Sequence, residues 1–220
     1  MDYDAVIFDL DGTLLESTSS RLEWLYTAVE KALEETGNSS YVTELSKDEI
    51  ITLSGIRSYK EFVDKCRELN IESEELWFYV SHFRARGKTQ LVEQDLLNLV
   101  DSTEKTLQTL ERQNISSAIV SNAPNETVEE IVDYFELKPF LSLFKGIGDI
   151  EELEKRKPNS FHLETAIDSL DGENFIYVGD SKVDIMAANN SGIDSVIIGE
   201  HPEATFEIDK LSELEALFQS

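Results

Sequence analysis

Ala5-Val-Ile-Phe-Asp-Leu-Asp-Gly-Thr13 opens on four apolar residues and closes on two aspartates and a glycine. An apolar run of that length, ended by Asp11-Gly12, reads as a buried strand running into a turn. Three further runs have the same form: Ser117-Ala-Ile-Val-Ser121 ending at Asn122, Phe175-Ile-Tyr-Val178 ending at Gly179-Asp180, and Ser195-Val-Ile-Ile198 ending at Gly199. Phe144 to Ile147 is a weaker fifth. Helical patterns over 103–112, 125–135, 160–170 and 183–190 lie between them. Fully apolar strands alternating with helices predict an α/β fold, a Rossmann-like parallel sheet covered on both faces.

Residues 16–100 break that alternation. Leu22, Leu25, Tyr26, Val29 and Leu33 recur at helical spacing, Gly37-Asn-Ser-Ser40 interrupts them, and helical patterns resume over 59–69 and 74–83. No strand is expected within this stretch. The predicted organisation is an α/β core domain of residues 1–15 and 101–220, with a helical domain of residues 16–100 inserted after the first strand.

The chain has 220 residues and carries 45 Asp plus Glu against 19 Lys plus Arg, a formal charge of −26. Hydrophobic residues make up 40%, enough for a core and too much for a disordered acidic tail. A phosphate-backbone binder needs a basic face, so nucleic acid is excluded as a general partner, and an anionic membrane surface falls for the same reason. Cys66 is the single cysteine, which excludes an intrachain disulfide and a cysteine-built zinc site and suits a reducing cytoplasm. No apolar run approaches the ~18 residues that cross a bilayer. The expectation is a soluble cytoplasmic protein, monomer or small homo-oligomer, acting on a small molecule.

In open parallel sheets ligands bind outside the carboxyl ends of the strands. The polar residues ending the apolar runs therefore converge: Asp9 and Asp11, Ser121 and Asn122, Asp180 and Asp184. Asp9 and Asp11 are two apart and point to one face of an extended strand end. Two such carboxylates repel each other unless a cation or a proton is supplied. Gly12 permits a backbone geometry that turns peptide N–H groups toward an anion. Asp180 and Asp184, at a strand end and one turn into a helix, are oxygen ligands of the kind a hard cation takes.

Asp9-Leu-Asp-Gly-Thr13, Ser121-Asn122, Lys157-Pro158 and Gly179-Asp-Ser-Lys-Val-Asp184 together resemble the four ordered motifs of the haloacid dehalogenase superfamily, in its branch of phosphatases with a helical cap. The resemblance covers the whole chain and puts the insertion where that branch carries its cap. It implies Asp9 as the nucleophile of an aspartyl-phosphate intermediate and Asp11 as general acid, then base, with its main-chain carbonyl on the metal. Ser121, the Asn122 N–H and Gly12 would hold phosphate oxygens, and Lys157 would neutralise charge on the phosphoryl group and on Asp9. Asp180 would ligate Mg²⁺, and Asp184 would support or join the metal shell. The chemistry agrees: a cation keeps the nucleophile ionised, while a crowded neighbouring carboxyl can retain a proton.

The activity implied is Mg²⁺-dependent hydrolysis of a small phosphomonoester, phosphoglycolate being one candidate. A sugar-phosphate mutase of the β-phosphoglucomutase kind uses the same two aspartates, but Gly12-Thr13 is more similar to the phosphatases. A catalytically silent binding protein would not need the intact nucleophile, acid, lysine and metal positions. In the insertion, Arg84, Arg86 and Lys88 read as cations closing a helix near Gly87, or as partners for an anionic group on the substrate. Arg57, after Ser54-Gly55, sits where related caps often contact substrate. Trp24, Trp77 and Phe78 read as core, and His82, His162 and His201 show no ligand spacing. Acid is spread along the whole chain, as at Glu34-Glu35, Glu74-Glu75, Glu129-Glu130 and Glu151-Glu152, a pattern that suits a halophilic protein better than one acidic patch.

Overall fold

A computed structural model describes residues 2–17 and 22–218. Its strands are β1 (Ala5–Phe8), β2 (Leu15–Ser17), β3 (Leu97–Leu99), β4 (Ser116–Pro124), β5 (Leu143–Ile147), β6 (Phe175–Gly179), β7 (Asp194–Ile198) and β8 (Phe206–Ile208). Six of them form one parallel sheet in the order β5-β4-β1-β6-β7-β8. β1 is central and buried along its length, which is why Ala5-Val-Ile-Phe8 carries no polar residue. Helices α1 (Glu23–Glu35), α2 (Tyr41–Glu44), α3 (Lys47–Leu53), α4 (Tyr59–Glu68) and α5 (Ser73–Glu93) lie between β2 and β3. Helices α6 (Thr103–Arg112), α7 (Asn125–Tyr134), α8 (Phe161–Ile167) and α9 (Lys182–Ser191) cover the sheet.

Strand alternation assigns the two faces. Val6, Phe8, Ile119, Ile176 and Val178 pack with Leu107 and Leu110 of α6 and with Val128 and Ile131 of α7. Ile7, Ala118, Val120 and Tyr177 pack with Leu163 and Ala166 of α8 and with Ala187 and Ala188 of α9. Ile7 pairs in register with Tyr177. The Asp9 N–H donates to the Val178 carbonyl at 2.8 Å, continuing the ladder by one residue. Asp9 therefore emerges on the face of Ile7 and Tyr177.

The helices between β2 and β3 bury Val29, Leu33, Leu53, Phe62, Leu76, Trp77 and Val80 in a cluster of their own, which also takes in Ile147, Ile150 and Leu153. The stretch is not purely helical. β2 and β3 pair antiparallel, Leu15 opposite Leu99 and Ser17 opposite Leu97, and close the entry and exit of the insertion. Helix α5 does not end near Gly87 but continues to Glu93, so the basic residues there do not terminate it. Gly87 packs against Trp24, where a larger side chain would meet the indole. Trp77 is buried as predicted, whereas Phe78 is 67% exposed. No helix among the described residues is long and apolar enough to cross a membrane.

Candidate active site

Asp9 leaves the end of β1 almost fully buried, and Lys157 reaches it from the segment before α8. Lys157 Nζ donates to Asp9 Oδ1, to Asp184 Oδ1 and to the Tyr177 hydroxyl, each at 2.6 Å. The hydroxyl in turn donates a hydrogen bond to the Val120 carbonyl at 2.9 Å. All three donor hydrogens of the ammonium are thus engaged within one buried knot. Lys155, two residues earlier, is exposed and lies over the Phe161 ring, 4.3 Å from its centre.

Asp184 is fixed by local sequence. Ser181 caps α9 in a reciprocal capping box: the Ser181 N–H donates to Asp184 Oδ2 at 3.1 Å and its hydroxyl bonds the same oxygen. With Oδ2 held by Ser181 and Oδ1 by Lys157, Asp184 braces the lysine. Asp180, at the end of β6, is exposed and approaches Gly12 closely. Gly12 has φ +85°, and a Cβ there would overlap the Asp180 carboxylate; a Cβ on Gly179 would overlap Asp184. The Gly12 N–H donates to the Leu15 carbonyl at 2.8 Å, so it is not aimed into the cavity. The glycine contributes space for Asp180 in place of the anion contact expected of it.

One oxygen from each of Asp9, Asp180 and Asp184 lies within 4.8 Å of the others. Asp11 adds a fourth carboxylate, and Lys88 of α5 forms an ion pair with it. Four carboxylates thus face two ammonium groups, and the two glycines let Asp180 and Asp184 approach closely. A divalent cation with oxygen ligands fits this donor set. Burial, reinforced by the nearby Asp184 charge and opposed by Lys157, pushes the Asp9 carboxyl up to about 7. Burial and Asp184 also raise Asp180. In both, burial is the larger cause and the Asp184 charge adds to it.

A cavity of about 790 Å³ opens above this knot, lined by Asp9, Asp11, Ser121, Asn122, Lys157 and Asp180 from below and by Ile56, Tyr59 and Arg84 from the insertion. The Ser121 Oγ accepts from the Ala123 N–H at 3.1 Å, which leaves its hydroxyl hydrogen for a ligand. The Asn122 side chain turns to the main chain of Lys157 and pairs with it twice. Arg57 does not line the cavity; it is in an ion pair with Asp48, and its neighbours Ile56 and Ser58 line it instead. Arg86 points elsewhere, 3.7 Å from Glu130.

Two contributors escape sequence reasoning. Tyr177 lies in an apolar strand and reads as core, its phenolic tip being the only hint. Arg156 precedes Lys157 and donates to the Gly55 and Ile56 carbonyls of the insertion at 3.1 and 2.8 Å.

Comparison with known proteins agrees with this architecture. Residues 6–198 match the family model of haloacid dehalogenase-like hydrolases. A pyrophosphatase PpaX of Bacillus cereus is 26% identical over 229 residues, covering 97% of this chain and 95% of its own. A phosphoglycolate phosphatase of Aliivibrio fischeri is 27% identical over 201 residues, with 88% and 83% covered. In three dimensions the chain is similar to CbbY from Rhodobacter sphaeroides, solved with phosphate (TM-score 0.71, 16% identity, 97% and 96% covered). It is also similar to a phosphatase of this superfamily from Thermococcus onnurineus (TM-score 0.63, 22% identity, 98% of both chains). The chain belongs to the haloacid dehalogenase-like hydrolases. Within that family it is an enzyme of the phosphatase kind.

Proposed function

We propose that the chain is a Mg²⁺-dependent phosphatase that hydrolyses a small phosphomonoester through an aspartyl-phosphate on Asp9, phosphoglycolate being one candidate substrate. The observation that carries this reading is the buried knot of Asp9, Lys157 and Asp184 at the carboxyl end of β1, on the floor of the cavity. A carboxylate placed there and fixed in orientation by a lysine is a nucleophile, and a lysine braced by a second carboxylate is a fixed positive charge for the phosphoryl oxygens.

In the first half-reaction an Asp9 oxygen bonds to phosphorus as the ester P–O bond breaks. The electron pair leaves on the alkoxide oxygen, which takes the proton of Asp11. In the second, Asp11 accepts a proton from water as the water oxygen bonds to phosphorus. The acyl-phosphate P–O bond breaks, returning Asp9 and releasing inorganic phosphate. Ser121 donates to a phosphoryl oxygen, and Asn122 keeps Lys157 in place. Asp9, Asp180 and the Asp11 carbonyl, with Asp184 alongside, would hold a divalent cation, which would supply positive charge against the phosphoryl group and the surrounding carboxylates.

Residues 16–100 act as a cap domain over a core of residues 1–15 and 101–220, and the surplus of acid fits a high-salt cytoplasm. The test is turnover of an aryl phosphate with Mg²⁺, followed by acid quench and peptide mass spectrometry. A phosphoryl group should appear on the Asp9 peptide, and Asp9→Asn should be inactive. Full turnover by Asp9→Asn would end this reading.

A further inference from the structure

The chain carries 45 carboxylates against 19 lysines and arginines, so acidic partners are plentiful. Two arginines that line the cavity nonetheless form no ion pair among the described residues: Arg84 of α5 and Arg156 before Lys157. Arg84 is only 7% exposed, and its one hydrogen bond runs from Nη1 to the Ser54 carbonyl at 3.1 Å. Its Nε–H is buried without a partner. Arg156 donates only to the Gly55 and Ile56 carbonyls. Burial brings the Arg84 guanidinium down to about 10, with the Arg156 charge pushing the same way and Asp11 opposing it. The two arginines bond to carbonyls of consecutive residues, Arg84 to Ser54 and Arg156 to Gly55 and Ile56, and both line the cavity that Asp11 lines. Burying a guanidinium with an idle donor beside a like charge is costly unless an anion completes it.

We propose that Arg84 and Arg156 form a second anion site, which reads a carboxylate or a second phosphoryl group on the substrate at the end away from the phosphoryl group being removed. The inference rests on the phosphatase reading and narrows its substrate class. The natural substrate is a short phosphorylated compound with an anion at each end, not a phosphorylated sugar or alcohol whose remainder is neutral. The site is split between the insertion and the core: Arg84 comes from α5 and Arg156 from the segment that carries Lys157. Arg156 also holds the carbonyls of the loop in which Ser54 anchors Arg84. An anion seated there ties the two parts across the cavity and gives both arginines a direct ionic partner, where the protein offers only the more distant charges of Asp11 to Arg84 and Glu61 to Arg156. A purely structural role for either arginine would weaken all ligands alike, whereas an anion site changes the ranking among ligands.

The experiment measures inhibition of aryl phosphate turnover, in Mg²⁺, by three compounds: methylphosphonate, phosphonoacetate and methylenebisphosphonate. Methylphosphonate has no second anion, phosphonoacetate adds a carboxylate and methylenebisphosphonate adds a second phosphoryl group. At least one of the latter two should bind about 10- to 100-fold more tightly than methylphosphonate, the size of a charge-assisted hydrogen-bonded contact. Which of them leads identifies the group recognised. Overall charge works against this preference, since a chain at −26 repels the more anionic compound. In Arg84→Gln and in Arg156→Gln the preference should shrink to within about 3-fold. Arg156, which is half-buried, carries the comparison if circular dichroism shows that Arg84→Gln is unfolded. Equal inhibition by all three compounds in the unmodified enzyme, or a preference that survives in the folded variants, would overturn the second site and leave the phosphatase reading standing. Absence of aryl phosphate turnover in the unmodified enzyme would remove both.

Discussion

Asn122 holds the main chain of Lys157 from both sides: its Oδ1 accepts from the Lys157 N–H at 2.8 Å and its Nδ2 donates to the Lys157 carbonyl at 3.1 Å. The pair spans 35 residues of sequence and fixes where the ammonium group begins its reach to Asp9. Asn122→Ala removes two hydrogen bonds worth roughly 1 kcal/mol each. The melting temperature should fall by about 4–8 °C. The turnover number should fall by about 10-fold or more as Lys157 loses its register. A variant that melts lower yet keeps the full turnover number would show that the clamp serves the fold alone.

Asp11 stands at the cavity wall, paired with Lys88, and its proposed role is to pass a proton to the leaving group. Aryl oxides leave without much help and alkoxides do not. Asp11→Asn should therefore lose more activity on alkyl than on aryl esters, with a gap inside the ~10²- to 10⁴-fold range of general acid catalysis. Equal losses on the two ester classes would take the acid role away from Asp11.

Cation binding is legible in stability as well as in rate. At a Mg²⁺ concentration ~100 times the dissociation constant, the folded state gains about 2.7 kcal/mol. For a chain of this size that raises the melting temperature by about 5–10 °C. The pH dependence has a definite sign. Burial holds Asp9 up to about 7 when no cation is bound, above the ~4 of an unfolded carboxyl. Its contribution to stability is thus present at low pH and lost as pH rises from about 4 to about 7. The Mg²⁺ shift should be larger at pH 8 than at pH 5, and smaller in Asp180→Asn. A melting curve indifferent to Mg²⁺ at both pH values would refute the cation site.

Surface charge sets a further expectation. Pairs such as Lys60–Asp64 and Arg67–Asp64 are largely exposed and contribute little, while most of the 45 carboxylates have no cation to meet. At ~1 M salt the Debye length falls to ~3 Å and their mutual repulsion is nearly gone. Thermal stability and turnover should both climb in KCl from 0.1 M into the molar range. A maximum of both at the lowest salt would remove the high-salt reading.

The parallel sheet and the acidic strand ends were legible because both leave strong local marks. Ala5-Val-Ile-Phe8 has to be apolar on both faces, and Asp9, Asp180 and Asp184 interrupt or follow such runs abruptly. Lys157 was marked by its place before Pro158, but its burial between two carboxylates leaves no trace in a basic triplet. β2 and β3 escaped because Leu15-Glu-Ser17 and Leu97-Asn-Leu99 are three residues long and poor in β-branched side chains; their pairing is set by where the chain leaves and re-enters the core. Gly87 suggested a helix end, yet it lies inside α5, where Trp24 needs the space of a missing side chain. Arg57 followed a loop that does line the cavity, but the nearby Asp48 captured its charge. Tyr177 and Arg156 bond to main-chain carbonyls from distant segments, and no spacing rule encodes such partners.

The apolar cluster of the insertion includes Ile147, Ile150 and Leu153, which belong to the chain around β5, and the Trp77 indole N–H donates to the Gly148 carbonyl at 2.8 Å. The two halves of the molecule are consequently not interchangeable modules. A chimera that receives another relative's helices has to receive compatible residues at 147–153 with them, or it exposes three large aliphatic side chains and strands a buried indole. Deleting the helices outright has the same effect, leaving a sticky patch next to the catalytic end of the sheet. Substrate range in this lineage would therefore change more readily by point substitution along α5 than by exchange of the whole insertion.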